Sequence, residues 1–252
     1  MLRPLLSFLL ASAFALPALA GQTITLSSGE WQPYISQQAK QQGVVSHIVR
    51  EAFAAEGVSV NYVFRPWKRA LEEARAGEVA GSIIWGPGTN ERERARDFYF
   101  SDTVIEGRSV FFHLKSTPFN WATYEDLVTV KIGGTAGYLY RFERDPRIQI
   151  DRAASDELSF RKLLAGRFQI FPSDLYGGQA VLDAHFTPEE AAQITHHPLP
   201  YSITGYHLLL SRKLATNSAL LAKFNSGLRK LHASGRYDQM IEAFQRGDYR
   251  QR

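Results

Sequence analysis

The segment VSVNYVFRPWKRALEEARAGEVAGSIIW, residues 58–85, holds two short apolar runs on either side of an amphipathic one. Val58–Phe64 alternates apolar and polar residues in the manner of a strand, and Gly81–Trp85 is a short run typical of a buried strand. Pro66 suits the first turn of the helix between them, and Gly77 suits its C-terminal end. Two strands joined by a helix indicate an α/β sheet.

Strand-like and helix-like segments alternate along the rest of the chain, without a repeat of about 20–50 residues that would indicate a solenoid or propeller. Further strands are predicted at Thr23–Leu26, Ser109–Leu114, Val130–Gly133, Phe168–Phe171 and Tyr206–Leu210. Further helices are predicted at Val45–Glu56, Phe160–Ala165, Pro188–Gln193, Ser218–Ser234 and Tyr237–Gln245. Two extended crossings, near Val110–Lys115 and Thr204–Leu210, separate a first lobe (residues 21–112 and 206–252) from a second lobe (residues 113–205).

Residues 1–20 have the features of a secretory signal peptide. Arg3 provides a positive start, Leu5–Leu16 is apolar, and Ala18-Leu19-Ala20 supplies the small-x-small pattern that precedes cleavage. The apolar run is too short to be a convincing membrane span, although an uncleaved anchor is the alternative. Cleavage after Ala20 would remove Arg3 and lower the formal net charge from +4 to +3.

The composition limits the classes of function. The chain contains no cysteine, so disulfides, lipid attachment through an N-terminal cysteine, and thiolate-based zinc or iron–sulfur sites are excluded. The basic residues alternate with acids, as in Glu91-Arg92-Glu93-Arg94, so a pI near 9.3 does not indicate a nucleic-acid partner. The seven histidines lack metal-site spacing, and we expect no metal and no cofactor. We expect a monomer in the bacterial periplasm.

Short motifs occur along the chain in the order found in one protein family. They are Trp31-Gln32-Pro33-Tyr34, the F-S-D of Phe100-Ser101-Asp102, Asp126-Leu127, the L-L-x-G-R of Leu163–Arg167, and Gly235-Arg236-Tyr237. Together they resemble the family 3 extracellular solute-binding proteins, the periplasmic components of polar amino-acid transporters. The resemblance covers nearly the whole mature chain. It implies a periplasmic-binding-protein-like fold of type II, with two lobes, each a mixed sheet flanked by helices, and a two-strand hinge.

The resemblance also implies a site in which a guanidinium binds the carboxylate of an amino acid and an acid binds its ammonium. In the family the guanidinium belongs to a T-x-x-R motif that precedes F-S-D. Counting forward from Thr89, itself a candidate ligand contact, selects Arg92 as this arginine. Counting back from Ser101 selects Arg94; both stay open, and Arg92 is preferred. Asp174, downstream of the L-L-x-G-R motif, is the expected partner of the ammonium. A turn or helix-cap role is the alternative for Asp174.

A loop and three aromatic residues complete the expected site. Thr135, Gly137 and Tyr138 would form a loop and helix start whose backbone N–H groups face the ligand carboxylate. Aromatic side chains beside turns could stack on the ligand, and a cation would gain most from that contact. Ordinary core packing is the alternative for them. These three are Trp31, Tyr34 and Trp85.

The expected mechanism is closure of the two lobes around a small polar ligand. The ligand, an amino acid, would then be passed to an inner-membrane ABC permease, or the closed form would be read by a sensor. An enzyme on the same scaffold is the alternative. The family that the chain resembles includes at least one enzyme, a periplasmic cyclohexadienyl dehydratase. Such a lyase needs a positioned acid, for which Glu30, Glu106 and Asp174 are available.

Overall fold

The computed structural model describes residues 22–86 and 91–250. Within these ranges the strands are β1 Gln22–Ser28, β2 Val58–Phe64, β3 Gly81–Trp85, β4 Phe98–Leu114, β5 Ile132–Thr135, β6 Ile150–Ala153, β7 Ile170–Asp174, β8 Ile194–His196 and β9 Ser202–Ser211. The helices are α1 Val44–Ala54, α2 Trp67–Ala76, α3 Glu91–Asp97, α4 Asp156–Leu164, α5 Leu175–His185, α6 Pro188–Ala191, α7 Asn217–Ala233 and α8 Arg236–Gln245.

The described strands form one mixed sheet in the order β2-β1-β3-β9-β4-β7-β5-β6, with β8 paired to β4. β1 runs parallel to β2 and β3, while β4 runs antiparallel to β9 and β7. β4 is 17 residues long and spans roughly 55 Å at the usual rise per residue. Its beginning lies beside β9 in the first lobe, and its end pairs with β7 in the second. β4 and β9 are therefore the two crossings between the lobes.

Each lobe has its own apolar core. The core of the first lobe contains β1, α1 and α7, with Leu26, Phe53 and Phe224 fully or nearly fully buried. The second lobe has one cluster around Phe112 and Phe160, and another around aromatic residues that include Phe142. Separate cores allow the angle between lobes to change without opening either core. The boundaries at 112/113 and 205/206 stay predictions.

Local chemistry explains where several elements begin and end. α2 starts directly after Pro66 and ends at Gly77, whose φ of 79° is in the left-handed region that glycine tolerates. α6 begins at Thr187, whose side chain accepts a hydrogen bond from the Glu190 N–H at 3.2 Å. The Thr187 cap matches the sequence prediction, whereas Pro66, expected as the first helical residue, lies one position before α2. In the described residues no helix has the length and hydropathy that crossing a bilayer requires.

Several parts of the second lobe differ from the sequence prediction, which contained neither β6 nor β8. α5 was not predicted, because Gly177 and Gly178 lower helix propensity. A Cβ atom at Gly178 would lie 2.6 Å from the Phe112 ring, so close packing requires glycine there. The helix expected at Gly137 does not form. The chain instead makes a turn, with φ of 84° at Gly137, and continues to a short 3-10 helix at Arg141–Arg144.

Candidate functional site

Asp174 lies where β7 ends and α5 begins, at the junction of the two lobes. Its carboxylate accepts a hydrogen bond from the Gly177 N–H at 2.8 Å, which caps α5. It also accepts one from the Tyr34 hydroxyl, which lies 3.0 and 3.1 Å from its two oxygens. Burial raises the pKa of Asp174, although these donors favour its charged form. The cap role and an interlobe contact are thus combined in one carboxylate.

Tyr34 is fully buried, and its hydroxyl points from the first lobe to the second. Its ring stacks on Trp31 at 4.4 Å and on Phe244 at 5.2 Å, and Tyr176 approaches edge-on at 6.2 Å. Burial and the charge of Asp174 raise the pKa of Tyr34 above its usual range. The hydroxyl is therefore a protonated donor at neutral pH. Stacking of Tyr34 or Trp31 on a ligand stays a prediction.

Tyr206, on β9, adds an aromatic ring that the sequence analysis missed. Its ring is 4.8 Å from that of Trp31, and a Cβ atom added at Gly107 would lie only 2.8 Å from it. The same hypothetical Cβ would lie 3.4 Å from an Asp174 oxygen. Burial, with Asp174 and Tyr138 nearby, raises the pKa of Tyr206 to about 12. Trp31, Tyr206 and Asp174 therefore share one region beside the crossing strands.

Trp85 and Arg94 meet at the end of β3. Ile84, just before Trp85, has φ of 61°, a conformation that strains a β-branched residue, and the β3–β9 register shifts there. The indole Nε1 of Trp85 donates to the Ser82 hydroxyl at 2.9 Å. The guanidinium of Arg94 lies 5.6 Å from the Trp85 ring centre and donates to the Gly86 carbonyl at 2.9 Å.

The two arginines counted from the family motif lie in different surroundings. The side chain of Arg94 is 8% exposed, whereas that of Arg92 is exposed to solvent. Thr89, the other residue of that motif, lies outside the described residues. A buried guanidinium over an aromatic ring is a stronger binding group than a solvated one, because less water screens its charge. Which arginine binds a carboxylate stays a prediction.

In the second lobe, Asp156 connects two hydroxyl groups. The Thr135 hydroxyl donates to one Asp156 oxygen at 2.5 Å, and the Ser173 hydroxyl donates to the other at 3.1 Å. The N–H of Thr135 donates to the Tyr140 hydroxyl at 2.9 Å, and the N–H of Tyr138 to the Thr135 carbonyl at 3.2 Å. These two N–H groups thus have acceptors within the lobe.

The loop after β5 presents Gly137 and Tyr138 to solvent, and the Tyr138 side chain is 52% exposed. Partial desolvation, with Asp156 and Asp174 nearby, raises the pKa of Tyr138. Tyr138 is therefore within electrostatic reach of both carboxylates, one of which is at the lobe junction. Its role as a ligand contact, like that of Gly137 and Thr135, stays a prediction.

The arrangement suits a small ligand with charged and apolar parts. The partly buried carboxylate of Asp174 and the buried guanidinium of Arg94 provide one charge of each sign, and several rings provide flat apolar surfaces. Among residues 22–86 and 91–250, no three His, Asp or Glu side chains are placed to hold a metal ion. Asp156 and Ser173 could have been found from the sequence, because both lie where strand and helix meet in an α/β sheet. Tyr206 gave no comparable signal.

Comparisons with known proteins agree with this architecture. The sequence profile of the family described as bacterial extracellular solute-binding proteins, family 3, matches residues 24–246. A search of curated proteins finds no match.

Solved structures show the same two-lobed fold. A mutant of ArgBP from T. maritima is 20% identical, with a TM-score of 0.61, covering 87% of this chain and 93% of that one. The amino acid ABC transporter substrate-binding protein AbpA from Streptococcus pneumoniae, bound to L-arginine, is 13% identical, with a TM-score of 0.62 and coverages of 90% and 96%. A histidine kinase sensor domain with similarity to periplasmic binding proteins is 18% identical, with a TM-score of 0.63 and coverages of 90% and 95%. At these identities the likeness is one of fold.

Proposed function

The chain belongs to the bacterial extracellular solute-binding proteins, family 3, and we propose that it captures an amino acid between its lobes in the periplasm. The observation that carries the proposal is the partly buried carboxylate of Asp174 at the lobe junction, in a molecule that also buries the guanidinium of Arg94 at the end of β3. The closed, loaded protein would deliver its ligand to an inner-membrane ABC permease.

Each part of an amino acid has a partner in this arrangement. Asp174 would receive the ammonium and Arg94 the carboxylate, because charge-assisted hydrogen bonds are the strong ones. Trp31 and Trp85 would contact the side chain, with Tyr206 beside Trp31. Micromolar affinity corresponds to about 8 kcal/mol, a reasonable sum for two charged contacts and one buried side chain after the cost of association.

Cationic amino acids are the first ligands to test. AbpA was bound to L-arginine, and ArgBP is another of the similar structures. A guanidinium or ammonium side chain would also gain from the aromatic rings, by about 1–2 kcal/mol if water is excluded. We propose a monomer that needs no cofactor and binds no nucleic acid. Residues 1–20 would be removed on export.

The decisive experiment is a thermal-shift screen of the mature protein, from residue 21, against the amino acids. A ligand present at a hundred times its dissociation constant stabilises the folded state by about 2.7 kcal/mol. Calorimetric titration of the best ligand should then show a large loss of affinity in Asp174→Asn and Arg94→Gln, but not in Arg92→Gln. No shift with any amino acid would sink the proposal. A loss confined to Arg92→Gln would move the carboxylate site to Arg92.

A lyase is the second candidate, and one observation favours it. Burial raises the pKa of Asp174, as is typical of a carboxyl group that donates a proton in catalysis. The test is incubation of the same mature protein with prephenate, following its consumption by ultraviolet absorbance. Consumption by the wild type that is lost in Asp174→Asn, with no stabilisation by amino acids, would favour the enzyme.

The protein that binds the closed, loaded form distinguishes a role in transport from a role in signalling. One of the similar structures is a sensor domain of a histidine kinase, so this fold also occurs outside transport. Reconstitution of the loaded protein in liposomes with an amino-acid ABC permease of the same organism should give ATP-dependent uptake of the bound amino acid. Absence of uptake, with ligand binding intact, would favour a sensor as the partner.

A further inference from the structure

The contact between Tyr34 and Asp174 joins residues 140 positions apart, one in each lobe. The Tyr34 hydroxyl is almost equidistant from the two carboxylate oxygens, at 3.0 and 3.1 Å. A ligand ammonium would be drawn to the same position, because both oxygens attract it there. We propose that the Tyr34 hydroxyl is an internal substitute for the ligand's ammonium, a latch between the lobes that the ligand must replace. This inference rests on the proposed function.

The carboxylate has little further capacity to accept hydrogen bonds. A carboxylate offers about four lone-pair positions. The Gly177 N–H occupies one at 2.8 Å, and the backbone N–H groups of Tyr176 and Arg108 also favour the charged form. Those three donors belong to the backbone of α5 and β4 and cannot leave without local unfolding. The position that can become vacant is the one held by Tyr34.

Tyr34 can leave only by movement of the lobes. Its ring is fixed by Trp31 and Phe244, and its carbonyl accepts the Val45 N–H at 3.2 Å, so the residue is a rigid part of the first lobe. Rotation of the second lobe moves Asp174 away without changing the rotamer of a buried side chain. Replacement of the hydroxyl by an ammonium is therefore coupled to the angle between the lobes.

Tyr176 provides a matched control. It belongs to the same aromatic cluster, 6.2 Å from the Tyr34 ring and 5.0 Å from that of Phe244. Its hydroxyl, however, accepts a hydrogen bond from the Gln245 side-chain amide at 2.9 Å rather than holding the Asp174 carboxylate. Tyr176→Phe thus removes a phenol oxygen from the same surroundings and leaves the proposed latch intact.

The first experiment is calorimetric titration of mature wild type, Tyr34→Phe and Tyr176→Phe. The probes are L-arginine and 5-guanidinopentanoic acid, which lacks the α-ammonium, with L-glutamine and its counterpart without ammonium as a second pair. Removing one competing hydrogen bond should strengthen binding of the ammonium ligands to Tyr34→Phe by about five- to tenfold. We expect no gain for the ligands without ammonium, and Tyr176→Phe should stay within about twofold of wild type. Unchanged or weaker binding of both ligand types to Tyr34→Phe would overturn the latch.

A second experiment needs no ligand. Because the chain has no cysteine, Lys68→Cys and Ala154→Cys place one spin label on the exposed surface of each lobe. Without ligand, Tyr34→Phe should broaden the distance distribution between the labels, and Tyr176→Phe should broaden it less. An unchanged distribution in Tyr34→Phe would overturn the latch. If no amino acid binds any variant, the proposed function fails, and the distance measurement still decides whether the hydroxyl connects the lobes.

Discussion

Asn217 shows how one polar side chain can be essential to the first lobe. It is fully buried at the start of α7, and its amide donates to the carbonyls of Ala80 and Ser211 at 2.7 and 2.8 Å. Asn217→Ala would remove both hydrogen bonds and leave the Ala80 carbonyl with only the Ser211 N–H, at 3.0 Å, which we expect to lower the free energy of unfolding by about 1–3 kcal/mol. Urea unfolding measures the loss. Asn225→Ala, at an exposed hydrogen bond, is the control and should cost less than about 1 kcal/mol.

The titration of Asp174 should be visible in the stability of the empty protein. Its pKa is raised by burial above the ordinary value of 3.8, so above pH 3.8 the folded state holds a proton that the unfolded state has lost. The stability contributed by this proton is present at low pH and is lost as pH rises through the raised pKa. Each unit of elevation amounts to about 1.4 kcal/mol.

Asp174→Asn removes this pH dependence. We expect the free energy of unfolding of wild type, minus that of the variant, to decrease as pH rises from about 4 towards the raised pKa. Urea titrations at several pH values give this difference. Asp151→Asn, at an exposed carboxyl paired with Lys162 at 2.8 Å, controls for the loss of one negative charge. A difference that is constant or increases with pH would show that Asp174 is ionised throughout.

At the scale of elements, helices α1 and α7 pack so closely that their contact point has no room for a side chain at Gly227. A Cβ atom at Gly227 would lie 1.8 Å from the Ala52 carbonyl oxygen, so α7 can only lie at this distance with glycine there. Gly227→Ala should separate the helices and cost about 2–4 kcal/mol, despite the better helix propensity of alanine. Ala222→Ser, on the exposed side of α7, should change stability by less than about 0.5 kcal/mol. Equal stability of the two variants would contradict this packing.

The sequence predicted those elements whose chemistry is local. β2 and β3 have the predicted bounds, and α2 agrees with its predicted bounds to within one residue, because Pro66 and Gly77 act within one turn. α5 was missed because it contains two glycines, and the close packing that requires Gly178 is against Phe112, a residue on another element. The first half of β4 was also missed, since its partner β9 is about a hundred residues away in the chain. Pairings between distant segments leave little local signal.

The same limit applies to the site. The sequence could propose Asp174 as a carboxylate at a strand end, but not that a hydroxyl 140 positions away would hold it. It left Arg92 and Arg94 open, because the two counts differ by two residues. The structure gives those arginines unequal burial, which sequence spacing cannot express. The sequence gives the charged residues and the order of the motifs, but it does not give the residue that each charge contacts in the folded protein.

For the whole molecule, the lobes contact each other through helix α5 as well as through the crossing strands β4 and β9. Besides the Tyr34 contact, the Gln245 amide donates to the Tyr176 hydroxyl at 2.9 Å, and Arg250 pairs with Asp183 at 2.7 Å. These two contacts attach the end of the chain to the second lobe, and a cavity of about 390 Å³ lies between them. Removing either should broaden the range of lobe angles in the empty protein.

The two contacts should respond differently to salt, because one is an ion pair with partly exposed partners and the other is a neutral hydrogen bond. Exposed pairs contribute up to about 1 kcal/mol, which corresponds to a change of up to about fivefold in the ratio of two lobe arrangements. Between about 0.05 and 1 M salt, the distance distribution of spin labels at positions 68 and 154 should therefore broaden in wild type and in Gln245→Ala. In Arg250→Ala it should already be broad at low salt and respond little to more. A wild-type distribution unaffected by salt, and equal to that of Arg250→Ala, would show that the end of the chain does not restrain the lobes.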